Sequence, residues 1–234
     1  FDMRFLPPPR QAGQLMKILD LGCGIGFWTT EFGMRGYSNL HAADLTKKAL
    51  EITAIRLKFF NLKAELSEQN AEKTNFDDQT FDHVNCQGVI HHTPNTEATL
   101  KEIARILKPG GTASISVYYR NIFLRSWKFL RPLGWLISLL GAKLKGRGRE
   151  NIFKQGNVDE IVRLYDGLEN PIGKSYSRKS FTKMLSPCFD IEETYLHFFP
   201  ARSLPFKIPQ FIHEFLDKRL GFMIYATLRK KCVE

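Results

Sequence analysis

The sequence predicts an α/β fold built around a mainly parallel sheet. Apolar segments of strand length alternate with segments of helical periodicity through the first half of the chain, and this alternation favours parallel strands joined by helices. A glycine-rich turn, 22–26, follows the first apolar segment. With 234 residues, 43% of them hydrophobic, the chain is long enough for one such domain with an elaboration.

The elements of the first half follow from local sequence. Short segments with apolar residues predict strands at residues 16–21, 40–43 and 81–86, and an alternating, partly β-branched segment predicts a strand at 112–118. Thr46 is a candidate N-cap of a helix whose apolar positions recur at helical spacing up to Phe60. A second amphipathic helix is predicted over 96–107, and the Lys-Pro-Gly-Gly sequence at 108–111 stops it.

The alternating pattern breaks after Tyr119. Residues 120–144 mix aromatic, leucine and basic side chains, and 145–174 are polar, which indicates a helical insertion rather than a further strand and helix. The pattern resumes with a helix at 180–185 and strands at 189–195 and 222–228. We therefore predict a core at 1–118, a cap insertion at 119–174, and completion of the sheet by 175–234 with a second helical insertion near 204–220.

The glycine turn and the acids around it indicate a nucleotide-like ligand. Gly22, Gly24 and Gly26 alternate after Asp20, and a backbone without Cβ can lie flat against a bound molecule. Asp44 follows the second predicted strand and is placed to accept hydrogen bonds from both hydroxyls of a ribose. The alternative is an acid that only stabilises the next helix through its dipole.

Residues 17–26 resemble the first motif of the class I S-adenosylmethionine (SAM) methyltransferases. Segments 70–82, 87–94 and 108–111 resemble later motifs of that family, in the same order, so that the resemblance covers about 16–117. It implies a Rossmann-like sheet of seven strands, with the last strand antiparallel and inserted between its neighbours. It also implies SAM as the cofactor and methyl transfer to an O or N atom of a small or medium organic acceptor.

The resemblance also implies which residues contact the cofactor. Asn70 stands where the family's usual acid meets the adenine amino group, and its amide carbonyl can still accept a hydrogen bond. The next backbone amide, that of Ala71, would meet a ring nitrogen. Cys23 is expected to be a small residue that fits the turn rather than a nucleophile. The predicted cofactor-binding set is Asp20, Gly22, Cys23, Gly24, Gly26, Asp44, Leu45, Asn70, Ala71 and Gln87.

His91 and His92 are candidates for a general base, because their segment would open onto the acceptor and histidine titrates near neutral pH. A structural role for either histidine is the alternative. Tyr118, Tyr119 and Trp127 are candidates for acceptor binding at the start of the insertion. No metal is expected, since Gly88 and His91 replace the acids that hold a metal in some related O-methyltransferases.

Charge and cysteine content leave several partners open. The net charge is +10, and basic residues concentrate between Arg120 and Arg149, which permits nucleic acid, an anionic membrane or an acidic substrate. We predict a small-molecule acceptor, with weak membrane contact of the basic insertion as a further hypothesis. A tRNA-modifying methyltransferase and a non-catalytic SAM-binding regulatory subunit remain alternatives, and the sequence does not indicate an oligomeric state. Four scattered cysteines and no visible signal peptide favour the cytoplasm, and a first residue other than Met suggests a longer natural chain.

Overall fold

The computed structural model describes residues 3–7, 15–139, 149–167, 170–201 and 207–231. The strands are β1 (Lys17–Leu21), β2 (Asn39–Asp44), β3 (Glu65–Glu68), β4 (Phe81–Gln87), β5 (Leu107–Tyr119), β6 (Ser175–Tyr176), β7 (Phe189–His197) and β8 (Met223–Lys230). The helices are α1 (Phe27–Met34), α2 (Lys47–Phe59), α3 (Thr96–Ile106), α4 (Ile122–Arg125), α5 (Trp127–Leu139), α6 (Val158–Asp166), α7 (Arg178–Leu185) and α8 (Gln210–Leu220). The predicted insertion residues at 140–148 and 168–169, and residues 204–206 of the second insertion, lie outside the described residues.

The strands form one mixed sheet in the order β3-β2-β1-β4-β5-β8-β7, with β6 paired to β5 off this path. The pairs among β1 to β5 are parallel. Along β7 and the residues at its two ends, Cys188 O accepts from Lys231 N and Phe198 O accepts from Phe222 N, so β8 runs in the opposite direction. The prediction of a Rossmann-like sheet with an antiparallel last strand between its neighbours is thus confirmed.

The junction between α3 and β5 differs from the prediction. Helix α3 begins after Asn95, whose side chain accepts from Ala98 N, and it ends at Ile106. Strand β5 starts at the next residue, because Leu107 already pairs with Phe81. The register then shifts so that His83 pairs with Thr112, which makes the Lys-Pro-Gly-Gly sequence a bulge within a strand rather than a separate loop.

The chain divides into two compact units. The first unit comprises Phe1–Ser116, Thr182–Thr194 and Ala226–Glu234, and the second comprises Val117–Phe181 and Tyr195–Tyr225. The first has a core in which Ile18, Phe32 and Leu40 are buried together. In the second, Asp159 on α6 accepts from both Arg120 and Ser175 and so ties α6 to the end of β5. The predicted three-part division with a cap at 119–174 stays a prediction.

None of the described helices is long and apolar enough to cross a membrane.

Candidate functional site

The glycine turn joins β1 to α1 and is anchored to the end of β2. The N–H groups of Gly22 and Cys23 both donate to the carbonyl oxygen of Ala43, at 2.7 and 3.0 Å. Gly22 has a φ of +76°, and a Cβ there would lie 2.4 Å from the side chain of Val89. Gly24 has a φ of +54°, yet a Cβ there would meet nothing within 4 Å. The turn is therefore closely packed at Gly22 and open at Gly24.

Asp44 ends β2 directly beside the open part of the turn. Its Oδ2 accepts from the N–H of Gly24 at 2.9 Å. Its Oδ1 accepts from the backbone N–H and the hydroxyl of Thr46, at 2.9 and 3.0 Å. The carboxylate is thus fixed in orientation. Of its about four acceptor positions one stays open on Oδ2, and a second opens on Oδ1 when the Thr46 hydroxyl, which can rotate, turns to another partner.

Asp20 lies beneath the turn, with 2% of its surface exposed. One carboxylate oxygen accepts from the backbone N–H and the hydroxyl of Thr29, and the other accepts from the amide of Asn85 at 2.8 Å. Burial raises the pKa of Asp20, and the hydrogen bonds from Thr29 and Asn85 oppose that rise. These contacts join β1 to α1 and β4 under the turn.

Cys23 is buried at the packed side of the turn. Its Sγ lies 3.8 Å from the hydroxyl of Thr53, which also donates to the carbonyl oxygen of Gly24 at 3.0 Å. Burial raises the pKa of Cys23 to about 12, so the thiol is protonated at neutral pH and is a poor nucleophile. The sequence pattern predicts Thr53 as part of a helix but does not predict its contact with the glycine turn. The signal that could have indicated this contact is a polar residue on the apolar face of α2.

Leu45 and Asn70 follow the ends of β2 and β3, two strands that pair in register at Asp44 and Glu68. Leu45 has 65% of its surface exposed, which leaves an apolar side chain beside the fixed carboxylate of Asp44. The side-chain carbonyl of Asn70 accepts from the N–H of Glu72 at 2.9 Å and so shapes its own turn. That oxygen retains a second lone pair for a ligand donor.

Gln87 ends β4 with an unusual amide group. Its Oε1 and Nε2 are both buried, and neither has a hydrogen-bond partner among the described residues. A buried amide without partners costs free energy in the folded chain. The position at the carboxyl end of a parallel strand is where α/β sheets bind ligands.

His91 and His92 lie in a 3-10 turn, Ile90–His92, after β4. His91 is 1% exposed, and burial together with the neighbouring His92 holds its pKa well below the usual value. It is therefore neutral at physiological pH. His92 is half-buried, and its ring centroid lies 4.1 Å from that of His91.

The three predicted acceptor-binding residues lie in the second unit. Tyr118 is buried against Phe222, and Tyr119 is half-buried at the end of β5. Trp127 is 7% exposed, and its Nε1 donates to Gln155 O at 2.8 Å. Trp127 thus has a structural role within its own unit. Acceptor binding by the three residues stays a prediction, as does the metal-free site, although the described residues include no cluster of three His, Cys, Asp or Glu side chains that could hold a metal ion.

The first unit therefore brings most of the predicted cofactor residues to the carboxyl ends of β1 to β4. An open glycine, a fixed carboxylate beside it and a buried amide without partners are features that suit a ligand with hydroxyl groups and with charged or amino groups that can pair with an amide. S-adenosylmethionine has such groups, and the residues present fit it.

Comparison with known proteins agrees with this geometry. Residues 19–115 match the methyltransferase domain family. The chain is 33% identical over 177 residues to the ubiquinone biosynthesis O-methyltransferase of Azoarcus sp. (strain BH72), covering 69% of this chain and 71% of that protein. It is 27% identical over 165 residues to the demethylmenaquinone methyltransferase of Bacillus cytotoxicus, covering 65% of this chain and 70% of the relative.

Solved structures show the same fold. A SAM-dependent methyltransferase from Methanosarcina mazei superposes with a TM-score of 0.62 at 20% sequence identity, covering 94% of this chain and 95% of that one. At this identity the similarity speaks to the fold, and the sequence relatives above carry the assignment. The chain belongs to the class I methyltransferases that use S-adenosylmethionine as their cofactor.

Proposed function

We propose that the chain transfers the methyl group of SAM to an oxygen atom of a small, ring-hydroxylated acceptor. The support for oxygen is the name of the Azoarcus relative, an O-methyltransferase of ubiquinone biosynthesis. The names of both relatives point to quinone-type rings. A nitrogen acceptor is the variant of this proposal that the same fold permits.

The pairing of Gly24 with Asp44 is the observation that carries the cofactor assignment. The carboxylate is held 2.9 Å from the Gly24 N–H, at the side of the turn where a Cβ would meet nothing. We infer that Asp44 accepts from the two ribose hydroxyls and that Leu45 covers the adenine. In this proposal Gln87 pairs its amide with the amino-acid end of the cofactor, and Asp20 supports the turn from below.

The cofactor supplies a methyl group on a sulfonium leaving group, so the protein's part is to position the acceptor and to accept its proton. His92 suits the second task better than His91, because His91 is almost fully buried whereas His92 is half-buried. A phenolic hydroxyl has a pKa near 10. Proton removal by a positioned base is typically worth about 10²–10⁴-fold in rate.

The cofactor assignment is tested by isothermal titration calorimetry with SAM. Asp44→Asn keeps the size of the side chain but loses one acceptor and the negative charge, so we expect affinity to fall by about 1.5–3 kcal/mol, as for hydrogen bonds to a charged group. Glu51→Gln, an exposed acid on α2, is the matched control. Unchanged affinity in a folded Asp44→Asn protein would contradict the assignment.

The base assignment is tested by turnover of a catechol-type acceptor. We expect His92→Ala to lower kcat by about 10²-fold or more while SAM affinity and stability stay near those of the wild type. His91→Ala should instead lower the free energy of unfolding by about 2–4 kcal/mol, since it leaves a cavity in the core. A fully active His92→Ala enzyme would show that the residue is not the base. SAM binding without turnover of any phenol or amine would favour the regulatory alternative.

A further inference from the structure

The net positive charge of the chain arises from one of its two units. The second unit has 17 Lys and Arg residues against 7 Asp and Glu, whereas the first unit has 17 of each. The entire net charge of +10 therefore belongs to the unit that does not contain the glycine turn. The excess of basic residues gives the second unit a positive electrostatic potential, which attracts an anionic surface.

The same unit exposes large apolar side chains on α5. Phe129, Leu133 and Leu136 have 85%, 54% and 53% of their surfaces exposed. Their spacing of four and three residues puts them on one face of the helix. Leu139, with 63% exposed, lies near the end of this face. We call the three residues Phe129, Leu133 and Leu136 the apolar stripe.

The opposite face of α5 is covered within the second unit. The ring of Trp127 stacks on Phe153, with centroids 5.6 Å apart and planes 9° apart. A Cβ on Gly134 would lie 2.2 Å from the ring of Phe153, so only glycine permits this approach. The helix is thus held against the 3-10 turn Arg149–Lys154 by its covered face, and the apolar stripe is left outside.

Basic side chains line a cavity on the covered side of α5, the side on which Trp127 stacks on Phe153. This cavity, of about 440 Å³, is lined by Lys128, Arg131 and Lys154 together with Trp127, Trp135 and Phe153. Lys128 and Arg131 come from α5 itself. Helix α8, in the same unit, also combines exposed apolar side chains with a basic one. Phe211 and Phe215 are 73% and 55% exposed, and Arg219 lies 4.6 Å from the ring centroid of Phe215.

We propose that α5 docks the protein on an anionic phospholipid surface. The apolar stripe enters the boundary between headgroups and acyl chains. Lys128 lies about 100° around the helix from Phe129, at the flank of the stripe, and meets lipid phosphates at headgroup depth, while Arg131 and Lys154 add to the attraction from a greater distance. A helix with an exposed apolar face and flanking Lys and Arg has the composition of helices that lie in a membrane interface. The attraction of each basic residue adds to the burial of the stripe.

Two other occupants fit the observations less well. A nucleic acid would use the basic residues, but its phosphates give no reason to expose Phe129, Leu133 and Leu136. A second copy of this chain would cover the stripe, but it would bring together two units that each have a large excess of positive charge. An anionic lipid surface matches both the apolar and the basic side chains.

The proposal is tested by flotation of the full chain with vesicles of phosphatidylcholine alone or with about one third phosphatidylglycerol. We expect binding only to the anionic vesicles, and weaker binding when NaCl is raised well above physiological strength. The variant Phe129→Ser, Leu133→Ser, Leu136→Ser should reduce partitioning about tenfold or more. Phe59→Ser with Ile55→Ser, exposed apolar residues on α2 in the first unit, should leave it unchanged.

The contribution of the basic residues to vesicle binding is tested separately. We expect Lys128→Glu with Lys154→Glu to weaken binding to the anionic vesicles, and we expect Lys58→Glu with Lys63→Glu, in the first unit, to weaken it less. We expect the stripe variant to keep the circular dichroism spectrum and the SAM affinity of the wild type, which would show that it is folded. We expect Asp44→Asn to lose SAM affinity and to bind lipid vesicles like the wild type. This result would separate the docking proposal from the proposed function. The docking proposal is overturned by equal binding to neutral vesicles or by full binding of the stripe variant. It is equally overturned by a dimer that dissociates in that variant, or by binding to RNA without binding to vesicles.

Discussion

Gly22 and Gly24 show how neighbouring residues of one turn take different roles. Both have positive φ, which glycine adopts without strain. At Gly22 the missing Cβ makes room for Val89, so the residue serves the packing of the turn against the segment after β4. At Gly24 the missing Cβ leaves open space beside Asp44, so the residue keeps room for a ligand.

The two glycines should therefore respond differently to alanine. Gly24→Ala has only the backbone strain of a left-handed residue, about 1–2 kcal/mol in the free energy of unfolding, but its methyl group intrudes on the ligand space and should weaken SAM binding at least tenfold. Gly22→Ala adds a clash with Val89 to similar strain and should destabilise by about 3 kcal/mol or more. Urea unfolding and calorimetry measure both. Gly24→Ala with wild-type SAM affinity, or Gly22→Ala with wild-type stability, would disagree with these roles.

At the scale of elements, the buried carboxylate of Asp20 connects three of them. It receives hydrogen bonds from the first turn of α1 and from β4 while it sits on β1. Because Asp20 supports the turn from below, its removal should act on stability before it acts on chemistry.

We expect Asp20→Ala to lower the free energy of unfolding by about 3 kcal/mol, since the buried donors of Thr29 and Asn85 lose their acceptor. Asp77→Ala, an exposed acid in the same unit, is the control and should change stability by less than about 0.5 kcal/mol. Chemical denaturation at pH 7 compares the two. If Asp20→Ala is as stable as Asp77→Ala, water replaces the carboxylate as the acceptor, and the connection of β1 to α1 and β4 through Asp20 does not contribute to stability.

The elements that local sequence predicts are those with a periodic apolar pattern. Strands β1, β2 and β4 are mostly buried, and α3 has a clear N-cap, so each lies within two residues of its prediction. Strand β3 was missed because its sequence, Glu-Leu-Ser-Glu, is an exposed edge with one apolar residue. Helix α6 lies within the predicted helical insertion, but its bounds were not predicted, because its apolar residues Ile161, Val162 and Leu164 lie within a stretch that is polar as a whole.

The residues of the candidate site also divide into those that a local sequence pattern predicts and those that it does not. The glycine turn and Asp44 are local features of strand ends, and sequence spacing is enough to predict them. The burial of His91 and the unpartnered amide of Gln87 depend on segments that are distant in sequence, since the end of β4 pairs with β5 at Gln87 and Ser116. No local pattern distinguishes a buried histidine from its half-buried neighbour in an Ile-His-His sequence.

At the scale of the whole molecule, stability should depend on pH through buried neutral histidines. His83 on β4 is 1% exposed, its Nδ1 lies 2.8 Å from the hydroxyl of Thr112, and burial lowers its pKa to about 3. The pKa of His91 is also lowered, by burial and by His92. Between pH 3 and 6.5 the unfolded chain binds a proton at His83 that the folded chain does not, and the lowered pKa of His91 acts in the same direction.

Stability therefore falls as pH decreases below about 6.5, by up to about 1.4 kcal/mol per pH unit for each such histidine. Burial raises the pKa of Asp20, which acts in the opposite direction because the folded chain then binds that proton first. The comparison with His83→Gln, which cannot titrate, isolates one histidine from this background. Urea unfolding of both proteins at pH 7.5, 6 and 5 should show a shallower loss in the variant, with the two curves diverging only below pH 6.5. Parallel curves over this range would mean that His83 is protonated in the folded chain or stays accessible to water.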